Sequence, residues 1–136
     1  MSEIEKMYEN VGIEKCNSRL KEIMPDVCLK NNGDENYKCE DCEYNWYPDF
    51  DAEKQIELIK TIETKCDMVD CVQIVYRPME DLWKITIIPV LEMAFEEMYL
   101  YFGCDKDFST ALAMAINNLW QDLTEEEKQQ VKGILE

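Results

Sequence analysis

Four prolines, Pro25, Pro48, Pro78 and Pro89, fix where the regular elements of this chain must stop. Proline has no backbone N–H and a locked φ, so none of the four belongs inside a helix or in the middle of a sheet. The 136 residues leave room for one compact domain and no second full core.

Between these marks the hydrophobic pattern changes period. Residues 2–24 read as helical, with Ile4, Met7, Tyr8 and Val11 and then Cys16, Leu20, Ile23 and Met24 at three- and four-residue spacing. Gly12 interrupts that segment and Pro25 ends it. Residues 25–51 keep no period and read as a long ordered loop or a small knuckle that needs a clamp. Asp51 reads as an N-cap with Phe50 as its staple, opening a helix over 52–67 with Ile56, Ile59, Ile62 and Cys66 as one stripe and Leu58 beside it. Cys71–Tyr76 and Leu82–Ile88 read as a β-hairpin with a five-residue connection, Arg77–Asp81. Trp83, Ile85 and Ile87 form its apolar face, and Pro89 stops the second strand.

Leu91, Ala94, Phe95, Met98 and Phe102 then predict a helix ended by Gly103, with a third strand through Tyr99–Phe102 as the alternative. Asp107 or Ser109 caps a helix carrying Leu112, Ile116, Leu119 and Leu123. Thr124 and Glu127 form a capping box for a last helix ending near Leu135. The expectation is an α+β single domain over 1–136, with four or five helices, one short antiparallel β-hairpin and a Cys-bearing loop. Leu112, Ile116, Leu119 and Ile59 are its expected core.

The chain contains no histidine, which removes Ser-His-Asp and Cys-His nucleophiles, His-based catalytic zinc and the HExxH helix. No glycine-rich phosphate loop fits, and no carboxylate pair stands at a recognisable acid/base spacing, so a non-enzymatic role is expected. Asp and Glu number 30 against 14 Lys and Arg, a net charge of −16. Such a surface repels nucleic acid and steers basic partners. Residues 1–51 carry 13 acids and 6 bases, 52–89 carry 7 and 5, and 90–136 carry 10 and 3, so the excess lies at the two ends. The N-terminus has no apolar run like that of a signal peptide, and no stretch is long and apolar enough to span a membrane. A cytoplasmic location with reduced thiols is expected.

Of the seven cysteines, Cys39 and Cys42 stand at the two-residue gap that lets both sulfurs of a turn reach one zinc ion. Cys28 and Cys16 are the best third and fourth ligands, and Cys66 with Cys71 is an alternative second pair. The commoner reading is reduced, partly buried thiols with no cofactor. In the same region Tyr37, Tyr44, Trp46, Tyr47 and Phe50 are interleaved with Glu40, Asp41, Glu43, Asp49 and Asp51. Tyr and Trp anchor protein interfaces. Glu40, Asp41, Glu43, Tyr44, Trp46, Asp49 and Asp51 are therefore the candidate partner-binding residues. The plainer readings are that the aromatics fill a loop core and the acids keep the protein soluble.

The start, Met1–Asn10, the stretch Tyr47–Lys60 and the stretch Asp107–Lys128 resemble small uncharacterised proteins of phages and prophages of clostridia and related gut bacteria. Residues 66–106 match no such pattern, and the resemblance supplies no functional residues. It implies a phage-like setting in a reducing cytoplasm, where many small acidic proteins inhibit nucleases, including CRISPR and restriction nucleases. The first functional reading is a binder that blocks a basic, nucleic-acid-handling host protein. A zinc-stabilised structural or accessory module of phage replication or assembly is the second, and a small enzyme the third. The zinc reading expects about one zinc per chain after purification without chelator, and a loosened 25–50 segment in Cys39→Ser or Cys42→Ser. Elemental analysis that finds no zinc in freshly prepared, reduced protein removes it.

Overall fold

The computed structural model describes residues 2–13, 47–90 and 101–136. Four α-helices and a three-stranded antiparallel sheet form a small α+β domain there. In chain order they are α1 (Glu3–Val11), α2 (Ala52–Lys65), β1 (Val69–Arg77), β2 (Leu82–Pro89), β3 (Tyr101–Asp105), α3 (Phe108–Leu119) and α4 (Glu125–Leu135). A 3₁₀ turn, Trp120–Asp122, joins the last two helices. No helix among the described residues is long and apolar enough to cross a membrane.

The caps lie where short polar side chains precede apolar periodicity. Ser2 accepts the Glu5 N–H at 3.1 Å, Asp51 the Lys54 N–H at 2.9 Å and Asp107 the Thr110 N–H at 3.1 Å. Each answers a donor that the first helical turn leaves unpaired. Gly12 closes α1 at φ 86, a left-handed conformation that glycine adopts without strain. Residues 14–24, the second half of the expected first helix, lie outside the described residues, as does 91–100. At the edge of that second gap the expected helix gives way to strand. Phe102 and Gly103 lie within β3, paired with Thr86 and Ile85, so Gly103 is not a helix stop.

The sheet order is β1-β2-β3. Arg77 pairs with Leu82, so the hairpin connection is four residues, 78–81, rather than five. Asp81 takes φ 52 there, and its carboxylate accepts the Tyr76 hydroxyl at 2.7 Å. Pro89 is tolerated as the last residue of β2. It stands opposite Val69 beyond a bulge at Asp70 and past the end of β3. Ile85 and Ile87 are buried on the inner face, and Trp83 meets the Phe108 ring edge-on at 5.2 Å.

Helix α3 lies against that face. Ala111, Leu112, Ala113, Ala115, Ile116 and Leu119 are all buried, because the sheet takes one side of the helix and α1 another. Fully burying a Leu or Ile side chain is worth about 1.5–3 kcal/mol. On α2 the buried stripe is Gln55, Leu58, Ile62 and then Cys66, which is rotated from the expected one. Ile56 is 53% exposed, and Ile59 is only partly buried. Gln55 wins its place by bonding rather than hydrophobicity. Its amide donates to the Phe50 carbonyl at 2.7 Å and the Ser109 hydroxyl at 2.8 Å.

The capping box of α4 is present and extends further. Glu127 is buried, and its carboxylate accepts the Thr124 N–H at 2.9 Å and the Asp67 N–H at 3.1 Å. One side chain thus ties the start of α4 to the corner between α2 and β1.

Gly103 is where α3 approaches β3 most closely. A Cβ built there would overlap the Ala111 carbonyl oxygen and lie 2.7 Å from the Met114 Cβ. Gly103→Ala should destabilise the fold by about 3 kcal/mol. Gly133, inside α4 with open space around it, should give the opposite sign as Gly133→Ala, a gain of about 0.5–1 kcal/mol. Urea midpoints of the two variants decide whether this close approach exists.

Candidate functional site: an acidic and aromatic pocket

The segment from Tyr47 to Phe50 runs across α1 and into the cap of α2. Its aromatic residues are organised by Tyr8. The Tyr47 ring stacks on Tyr8 at 4.9 Å between centroids, and the Phe50 ring meets it edge-on at 6.5 Å. The Tyr47 hydroxyl donates to Glu9 at 3.4 Å. Beside this cluster opens a pocket of about 510 Å³, bounded by the starts of α1 and α3 and by the 47–50 segment. Its lining includes Glu5, Asp49, Asp107, Ser109 and the Tyr8, Tyr47 and Phe50 rings.

The three carboxylates differ in what they are free to do. Asp107 is committed to the cap of α3, where it also accepts the Thr110 hydroxyl at 2.8 Å. Among the described residues, the carboxylates of Glu5 and Asp49 make no hydrogen bond or ion pair. The Tyr8 hydroxyl is buried and has no hydrogen-bond partner among the described residues. Burial, with the charges of Asp49 and Asp51 adding to it, pushes the Tyr8 pKa up to about 12. An orphaned buried hydroxyl is uncommon and needs a reason. Here it lies in the field of Asp49 and Asp51 and against the Tyr47 and Phe50 rings. The pocket suits a cation carrying N–H donors: the Glu5 and Asp49 carboxylates supply charge and the partly exposed Tyr47 and Phe50 rings a face.

Of the residues singled out from sequence, Asp49 lines this pocket. Asp51 lies next to it in the chain, but one of its oxygens is spent on the α2 cap. Glu40, Asp41, Glu43, Tyr44 and Trp46 lie outside the described residues, as do Cys16, Cys28, Cys39 and Cys42. Cys66, the alternative ligand with Cys71, is a poor one. It is buried, and burial together with the nearby Glu127 carboxylate pushes its pKa up to about 12. Among the described residues no cluster of three or more Cys, Asp or Glu side chains could hold a metal ion. Sequence reasoning missed Glu5 and Tyr8 as site residues, since Tyr8 carries the same helical spacing as the core residues around it.

Comparison of the chain with protein-family models, with curated proteins and with solved structures finds no match in any of the three.

Tyr8 and Cys66 both hold their protons more tightly in the fold than in the unfolded chain, where the ordinary values are 10.0 and 9.0. A raised folded pKa gives stability that is complete below the unfolded value and lost as pH rises towards the folded one. The urea midpoint should therefore hold steady up to about pH 9 and fall between there and about pH 12. The double variant Tyr8→Phe, Cys66→Ala should lose most of that fall. An equally steep fall in the double variant would assign it to other groups.

Proposed function

We propose that this chain is a non-enzymatic acidic binding protein that captures a basic, nucleic-acid-handling protein and competes with nucleic acid for it. The pocket beside Tyr8 carries the reading, because the Glu5 and Asp49 carboxylates, unpaired among the described residues, and the Tyr47 and Phe50 rings together fit a lysine or arginine side chain. The charge of −16 supports it, as an acidic field speeds encounter with a basic partner. The resemblance of residues 1–10, 47–60 and 107–128 to phage and prophage proteins favours a host nuclease of a defence system, CRISPR or restriction, as that partner. Charge alone gives little lasting affinity, and the aromatic residues at 44–50 supply apolar anchors.

The test is affinity capture from host lysate followed by competition on the purified partner. Association should be fast at low salt and slow steeply as salt rises, since steering is screened beyond about 8–10 Å at physiological ionic strength. Reversing Glu40, Asp41 and Glu43 together to Lys, or Glu5 and Asp49 together, should weaken binding about tenfold or more. Reversing Glu53 and Glu57, on the exposed side of α2, should change it far less. Glu63, the third acid of that helix, is unsuitable for the control because it accepts the Val72 N–H at 3.0 Å. A partner that binds equally well when saturated with its nucleic acid would overturn the competition.

A further inference from the structure

The two edges of the sheet are finished differently. On β3, Asn118 of α3 donates to the Phe102 carbonyl at 2.9 Å. On β1, Glu63 of α2 takes the Val72 N–H at the end nearer the bulge. In an antiparallel ladder outward-facing residues alternate, so an outward Val72 N–H means that Ile74 and Tyr76 also turn their backbone groups away from β2. Among the described residues nothing meets those groups. The side chains there are half-exposed, with Ile74 at 44%, Val75 at 47% and Tyr76 at 43%. Edge strands are normally blunted by lysine, proline or a covering element, yet Cys71–Tyr76 is six uncharged residues in a row without lysine or proline, and among the described residues only Glu63 covers it.

Charge decides what fits this edge. Residues 69–89 hold 3 acids and 2 bases, while the rest of the chain holds 27 and 12. Cys71–Tyr76 carries no charge of its own, and the one carboxylate at this edge, that of Glu63, is already engaged by the Val72 N–H. A neutral strand does fit, and β1 is itself one. We infer that the open edge of β1 pairs with β1 of a second copy, antiparallel about a two-fold axis at Ile74, to form a continuous six-stranded sheet. In this register Ile74 exchanges both backbone bonds with its counterpart. The Tyr76 N–H of each copy reaches the Val72 carbonyl of the other, a group that the Glu63 bond leaves open. Ile74 packs on Ile74 and Val72 on Tyr76 across the junction. The Arg77 end of each strand lies beside the Asp70 end of the other, so opposite charges meet.

The large negative charge outside the sheet opposes this association, and salt screens it. The dimer therefore strengthens as salt rises, whereas capture of a basic partner weakens, so the two can fail separately. Sedimentation equilibrium should show the mass rising from 16.1 kDa towards twice that value over about a hundredfold range of protein concentration, more readily in high salt. Hydrogen exchange at the Ile74 and Tyr76 amides should slow over the same range. Ile74→Lys, with Tyr76→Lys as a second variant, should raise the dissociation constant about tenfold or more. Both are half-exposed sites, and unchanged circular dichroism checks the fold. Ile56→Lys, equally exposed but on α2, should dimerise like the parent. A mass of one chain at every concentration and salt would overturn the inference. So would a dimer that both lysine variants leave intact, or Ile74 and Tyr76 amides whose exchange ignores concentration.

Discussion

Backbone-distance contact between α3 and β3 at Gly103 is the constraint on which the rest of this domain hangs. The absence of a side chain at Gly103, with Ala111 and Ala115 opposite, lets the helix lie close over the inner face of the sheet. From there Leu112, Ile116 and Leu119 reach the remaining elements. Helix α1 then packs on α3, and Asn117 fixes its position by donating to the Glu3 carbonyl and carboxylate at 3.0 Å each. That docking carries Tyr8 to the start of α3, which is why the pocket forms at this end of the molecule.

Local signals were the legible part of the fold. The caps at Asp51, Asp107 and Thr124, the hairpin and the face of α3 all follow from short-range chemistry that neighbouring residues decide. Signals failed where a distant partner decides. The Tyr101–Asp105 strand is chosen by pairing with β2, which overrides a helical spacing ending in Phe102 and Gly103. The burial of Gln55 in place of Ile56 depends on two acceptors from other segments. The pocket was half legible. Asp49 stood out beside the aromatics, but Glu5 and the hydroxyl of Tyr8 come into play only when the 47–50 segment crosses α1.

Ion pairing does little to hold the domain together. All four ion pairs among the described residues join neighbours three or four apart in sequence, and the acid is more than half exposed in each. Stability rests instead on the apolar core, the helix caps and the buried carboxylate of Glu127, which serves backbone donors on two elements. Among the described residues the carboxylates of Glu5, Asp49, Glu53, Asp67, Asp70 and Glu126 make neither a hydrogen bond nor an ion pair. Evolution can vary their number and placement with little effect on folding, so a field of this strength is available for recognition.

Tyr8 has one more consequence, which concerns chain connectivity. Its carbonyl accepts the Ile13 N–H at 3.0 Å, and its ring stacks on Tyr47. One residue of α1 thus grips the chain on both sides of residues 14–46. The two attachments differ in kind, one made by the backbone carbonyl and the other by the ring. Replacing the Tyr8 side chain should therefore free the Tyr47 end while the Ile13 end stays held, so the two ends of this connection answer to different features of one residue.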